Sequence, residues 1–276
     1  MNRDLLQQYL TFYQDLGIRT LYRRNSPAAA PQAANEATPI SDTPSEPEAP
    51  VVPKAPAAPK APTLPKVALP PAQSEAADQV LEPPSTDSSL AEISNDIGDC
   101  KRCRLHEKRN KIVFGSGDEQ AKLVFVGEGP GADEDAQGLP FVGRAGQLLT
   151  QMIEGTARKE GIPLLRKDVY ICNVVKCRPP ENRTPQPDEM EICGQFLYRQ
   201  LAVIRPKAIC VLGATAAKAL LNRREGVTKL RGNWFRWREI PVMVTYHPSY
   251  LLRPYNQDAK REAWEDLKKV LHYVYD

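Results

Sequence analysis

The sequence predicts an α/β domain built on a parallel sheet. Two observations carry that expectation: short apolar, β-branched runs recur along the chain, and each is followed by a turn and a helix-like stretch. The runs show no polar alternation, which suits strands covered on both faces by helices in βαβ units. In such sheets ligands bind beyond the carboxyl ends of the strands, so the residues after each run are where chemistry is expected.

Taken in order, the chain opens with Leu5, Leu6, Tyr9, Leu10, Tyr13, Leu16 and Ile18 near helical spacing, which predicts an amphipathic helix within residues 1–25. It is too short to fold well alone, so it is expected to dock on the main domain or on a protein partner. Residues 26–89 are dominated by Pro, Ala, Ser and acidic residues. That composition cannot bury enough apolar surface to offset ordering entropy and predicts a disordered, partly polyproline linker. Residues 90–276 remain as one compact domain. No apolar run approaches the roughly 20 residues of a membrane span, and the charged amino terminus carries no cleavable signal pattern, so a cytoplasmic protein is expected.

Formal net charge is only +3, but it is unevenly spread. Lys101, Arg102, Arg104, Lys108, Arg109 and Lys111 form one basic cluster, and Arg223, Arg224, Lys229, Arg231, Arg236 and Arg238 a second. Each alone reads as a solvated surface. Two on a domain of this size favour a polyanionic partner.

The predicted strands are "KLVFVG" from Lys122, "VYICNVV" from Val169, "AICVLG" from Ala208 and "VMVTYH" from Val242. After the first comes "GEGPGADED", a tight glycine turn ahead of an acidic cluster; the second contains Asn173; the third leads into "GATAAKALL"; the fourth ends at His247. Singly these are a connection, a strand cap and a satisfied histidine. Converging at one sheet edge, they predict a pocket. Trp234 and Trp237 read as a hairpin or edge strand, Trp264 as core on a terminal amphipathic helix, and His106 and His272 show no ligand or catalytic spacing.

Of six cysteines, Cys100 and Cys103 form a close pair, while Cys177 and Cys193 lie far along the chain in polar, turn-rich sequence. Buried structural thiols are out of place there, so a bound metal is expected. Four thiolates suit tetrahedral zinc or a [4Fe–4S] cluster, and spacing does not separate the two. Cys172 and Cys210 sit inside apolar runs and read as strand residues.

The motifs "GEGPGADED", "PFVGRAGQLL", "NVVKCRPPENRTPQPDE" and "HPSYLLR", with the four cysteines, occur in order with family-like spacing, and from about Ile93 to Tyr275 the chain resembles the family 4, iron–sulfur uracil-DNA glycosylases. The resemblance implies a three-layer α/β/α fold around a four-stranded parallel sheet. It implies an architectural [4Fe–4S] cluster on Cys100, Cys103, Cys177 and Cys193, and a monomeric, nucleoid-associated prokaryotic enzyme. The substrate would be uracil in single- or double-stranded DNA, with the product an abasic site.

A base inside a duplex is inaccessible, so such an enzyme acts on single strands or flips the nucleotide out. The resemblance places Phe141 in a stack on the uracil ring, Asn173 on its O4 and N3–H edge, and His247 as donor to O2 as negative charge grows there. Backbone amides of Gly129 and Gly131 would hold base or water. The wider superfamily carries Asp or Asn where Gly129 stands, and no direct replacement for that water-activating side chain is visible. Glu128, with Glu134 as competitor, is expected to orient the water or stabilise the sugar cation. For Glu134 and Asp135 the plainer reading is a charge pair at a helix amino terminus. Ser249 would contact phosphate, and Leu251, Leu252 and Arg253 would form the loop that wedges into the vacated stack. A superfamily relative that traps uracil-DNA covalently is the alternative; "KCRPPENRTPQ" stands where that relative carries an added histidine-bearing segment, which favours turnover. A zinc-stabilised nucleic-acid scaffold without catalysis is the third reading.

Overall fold

The computed structural model describes residues 89–276, so the expected amino-terminal helix and all but the last residue of the linker lie outside the described residues. A six-stranded sheet runs through the domain. Its strands are β1 (Ser116–Gly117), β2 (Leu123–Gly127), β3 (Tyr170–Asn173), β4 (Ala208–Leu212), β5 (Trp234–Trp237) and β6 (Ile240–Thr245), in the spatial order β1-β3-β2-β4-β6-β5. The middle four are mutually parallel and match the four apolar runs of the sequence. Two antiparallel edges complete the sheet: β5 is the tryptophan strand, hairpin-paired with β6, and β1 is a two-residue strand on β3.

Burial follows from alternation of side chains along each strand. Leu123, Phe125, Ile171, Cys210 and Met243 face one helical layer, made of α3 (Arg144–Lys159) and α8 (Gln257–Tyr275). Val124, Val126, Cys172, Ile209, Val211 and Val244 face the other, made of α1 (Leu90–Ile97), α4 (Pro187–Ile204) and α5 (Ala214–Leu221). Both faces of the sheet are therefore apolar, which explains why the strands read as unbroken apolar runs. The three-layer α/β/α expectation is met. Cys172 and Cys210 are fully buried strand residues, and Trp264 is buried on α8. Three short helices, α2 (Ala132–Gln137), α6 (Val227–Leu230) and α7 (Pro248–Leu251), fill the connections.

The basic clusters are less open than their sequence suggests. Arg102 pairs with Asp96, Lys101 and Arg109 with Asp99, and Arg104 with Asp188. In the second cluster Arg231 is locked to the buried Asp266, Arg223 meets Glu225 and Arg236 meets Glu239. Much of their charge is spent on internal ion pairs.

Candidate active site and cysteine centre

The carboxyl ends of the parallel strands open into a cleft of about 340 Å³ lined by Glu128, Gly129, Gly131, Glu134, Phe141, Asn173, His247 and Ser249 among others. Asn173 ends β3 directly opposite Gly127 of β2. Pairing continues past the strand ends, with Val174 N–H on the Gly127 carbonyl at 2.9 Å and Val175 N–H on that of Glu128 at 3.2 Å. A side chain at Gly127 has no room: its Cβ would lie 2.4 Å from Asn173 Oδ1 and 2.6 Å from Phe141 Cζ. Asn173 is 1% exposed, and its Oδ1 is buried without a hydrogen-bond partner among the described residues. A buried acceptor left unpaired costs about 1–3 kcal/mol, so this atom is set to be satisfied by a ligand.

Phe141 occupies a turn with φ +52°, a region that bulky side chains rarely adopt. Glu134 braces that turn. One of its carboxylate oxygens accepts from Gly131 N at 3.1 Å, and the other from Val142 N and Gly143 N, both at 2.9 Å. Arg166 supports the same turn from below, donating to the Pro140 carbonyl at 2.8 Å and Thr150 Oγ1 at 2.9 Å. Gly146 is needed beneath, since a Cβ there would fall 1.9 Å from the Phe141 carbonyl oxygen. Neighbouring Asp135 is likewise occupied with backbone, accepting from Asn110 and Lys111 N–H groups. Both acidic residues thus serve the first turn of α2 and its surroundings.

His247 lies two residues past the end of β6 and caps α7. Ser249 N–H donates to its Nδ1 at 3.2 Å, so Nδ1 carries a lone pair and the proton of the neutral ring resides on Nε2. Ser249 Oγ lies 2.8 Å from the same nitrogen. Burial pushes the imidazole pKa down to about 4, with Glu134 pulling weakly the other way. The ring is therefore neutral at physiological pH and presents an Nε2–H donor. Glu128 also lines the cleft, and its carboxylate has no partner among the described residues.

One expectation needs correction. Leu251 is 1% exposed and packs in the core with α3 and α8, so it is not available as a wedge. The helical turn of α7 rotates it inward. Leu252 is partly buried, and Arg253 is exposed with its guanidinium 5.7 Å from the Tyr250 ring. The cleft also includes Pro179, Asn182 and Arg183, to which the sequence reading gave no role. Their signal was the "PENR" run; Asn182 has φ +56° and accepts from Arg178, and Arg183 forms a bidentate pair with buried Glu189.

Cys100 and Cys103 follow α1, Cys177 follows β3 and Cys193 lies on α4, yet all four line one void floored by Ile97, Ile112 and Phe196. Among the described residues no group of three His, Cys, Asp or Glu is arranged to hold a metal ion. The cysteines ring a common space rather than closing on a point. Lys176 N–H is 3.2 Å from Cys193 Sγ and Arg109 Nη1 is 3.4 Å from Cys177 Sγ, the donors that sulfur ligands characteristically receive. As free thiols Cys103, Cys177 and Cys193 are hard to ionise, since burial raises the first two and pushes Cys193 up to about 12.

A three-layer α/β/α fold with a cleft at the carboxyl ends of its parallel strands and a buried, unpaired amide oxygen in the cleft wall defines a class of small-ligand site. The family model of the Uracil DNA glycosylase superfamily matches residues 114–268, and the chain belongs to that superfamily. Within it, the chain is 46% identical over 184 residues to the type-4 uracil-DNA glycosylase of Thermotoga maritima, covering 66% of this chain and 93% of that protein. It is 43% identical over 190 residues to the type-4 enzyme of Archaeoglobus fulgidus, covering 66% and 92%. A type-5 uracil-DNA glycosylase of Pyrobaculum aerophilum is 30% identical over 168 residues, covering 56% and 71%. Among the described residues no helix is long and apolar enough to cross a membrane.

Proposed function

We propose that this protein hydrolyses the N-glycosidic bond of deoxyuridine in DNA, releasing uracil and leaving an abasic site for repair. The buried, unpaired Oδ1 of Asn173 carries the assignment of the base pocket. As acceptor it takes N3–H of uracil while the amide nitrogen donates to O4; cytosine presents the opposite pattern on that edge. Phe141 stacks on the flipped ring. As the C1′–N1 bond breaks, the electron pair passes to the base, and the neutral His247 donates from Nε2 to O2, where charge accumulates. A neutral donor suits this task, because it needs no proton from solvent at physiological pH.

The deoxyribose cation is captured by water, and the proton that water sheds passes through solvent to the departing uracil anion, leaving the hydroxyl of the abasic sugar. Glu128, unpaired in the cleft, orients that water and stabilises the cation. Glu134, whose oxygens are taken by three backbone N–H groups, holds the Phe141 turn and adds negative charge nearby. The amide of Gly129 faces the leaving base or water, whereas the Gly131 N–H is already given to Glu134. Ser249 contacts phosphate, and Leu252 with Arg253 fills the gap left in the DNA. Among the described residues that line the cleft there is no lysine.

Cys100, Cys103, Cys177 and Cys193 hold a [4Fe–4S] cluster, a reading supported by their arrangement around a shared void and by the N–H donors on two of the sulfurs. The cluster would supply an architectural bond between α1, β3 and α4. The protein acts in the cytoplasm as a monomer. Release of free uracil from a labelled oligonucleotide, with an alkali-labile abasic site left behind, tests the activity. A tight complex with intact or covalently captured DNA and no free uracil would favour the trapping alternative.

A further inference from the structure

Lys176 is 1% exposed, and every polar atom it has is in use. Its backbone N–H meets Cys193 Sγ at 3.2 Å and its carbonyl accepts from Val113 at 2.8 Å. Its Nζ donates to the Asn173 carbonyl at 2.8 Å and to Gln200 Oε1 at 2.6 Å. Gln200 is itself buried and fixed by donation to Tyr170 Oη and the Phe114 carbonyl, both at 3.1 Å. No carboxylate pairs with Lys176 among the described residues. Burying an amine this way is costly, so the lysine is held there by the two buried acceptors it satisfies, the Asn173 carbonyl and Gln200 Oε1.

Its neighbours supply the reason. Lys176 lies three residues after Asn173 and one before Cys177, so the short segment 173–177 runs from the base pocket to the cysteine centre. The lysine bonds to both ends of that segment's surroundings: its N–H to a cysteine sulfur, its Nζ to the backbone of Asn173. We infer that Lys176 is a positioning residue for uracil recognition, fixing the Asn173 backbone against α4 through Gln200 and so tying the cysteine centre to the geometry of the base-reading amide. Tension or loosening at Cys193 is then transmitted to the pocket through one residue, from its backbone N–H to its side-chain Nζ. The inference rests on Asn173 being the base reader.

The test is a double-mutant cycle in the full-length chain with Asn173→Ala and Lys176→Met, reading kcat and KM for uracil release, visible absorbance and thermal midpoint. Lys176→Met is expected to keep the absorbance, leave KM near wild type and lower kcat about 10- to 100-fold through misplacement of the amide. In the Asn173→Ala background that loss should vanish, because the amide it orients is gone. Gln200→Met, which frees Nζ from its second anchor, should show a smaller loss with the same dependence on Asn173, and it decides the matter if Lys176→Met does not fold. Additive losses, or a lowered thermal midpoint with unchanged kcat, would overturn the inference while leaving the base reader in place. An Asn173→Ala protein with wild-type turnover would remove the base reader and this inference together.

Discussion

The imidazole of His247 and the phenyl ring of Phe141 stand 5.6 Å apart, centroid to centroid, inclined at 36°. They arrive from the loops after β6 and β2, with β4 between those strands. Under the proposed function, a flat base laid on the phenyl ring would have its polar edge beside the imidazole, coupling stacking to charge stabilisation in one pose.

The protonation of His247 sets the pH dependence. Its folded pKa is lowered to about 4, below the ordinary value of 6.5, so the unfolded chain binds the extra proton first. Stability is then favoured above pH 6.5 and falls as pH drops from there toward 4. Activity should not rise as pH falls through the usual histidine range, since under the proposed function the neutral ring is the donor. Single-turnover uracil release from pH 5 to 8, beside an NMR titration of the ring, checks both; a titration midpoint near 6.5 would refute the neutral-donor reading.

Asn173 separates activity from stability. Replacing it by Leu removes an unpaired buried acceptor, so the thermal midpoint should hold or rise while uracil excision is lost. Gly127→Ala should act on the same site differently, its methyl driving Asn173 and Phe141 apart in a protein that still folds. Calorimetry beside a release assay distinguishes these outcomes from general unfolding.

The two glutamates should part company. Glu128→Gln is expected to lower kcat with an unchanged thermal midpoint, because that carboxylate has no partner among the described residues. Glu134→Ala leaves three backbone N–H groups without their acceptor and should lower both, at about 1–3 kcal/mol for each group that stays buried and unpaired.

How far the sequence disclosed all this varies by residue. Fully covered strands announce themselves as apolar runs, and Asn173 and His247 were legible because they stand where such runs end. The edge strand β1 was not, since Ser116 and Gly117 carry no pattern. Lys176 was hidden because lysine is rarely buried, and nothing local signals that Gln200, 24 residues away, waits for it. Leu251 and Leu252 look alike in sequence; only the turn of α7 decides which one enters the core.

That last pair yields a prediction of its own. Leu251→Ala should destabilise the domain by about 2–5 kcal/mol, as for other core leucines. Leu252→Ala should cost far less stability and instead weaken excision from duplex more than from single-stranded DNA, where no stack must be filled. Chemical denaturation and paired release assays test the contrast.

The most direct trial of the account is the single-turnover rate of uracil release by His247→Ala on a uracil-containing oligonucleotide. Loss of one preorganised donor to the departing base predicts a fall of about 100- to 1000-fold with DNA binding retained. A rate equal to that of the unaltered protein would contradict it.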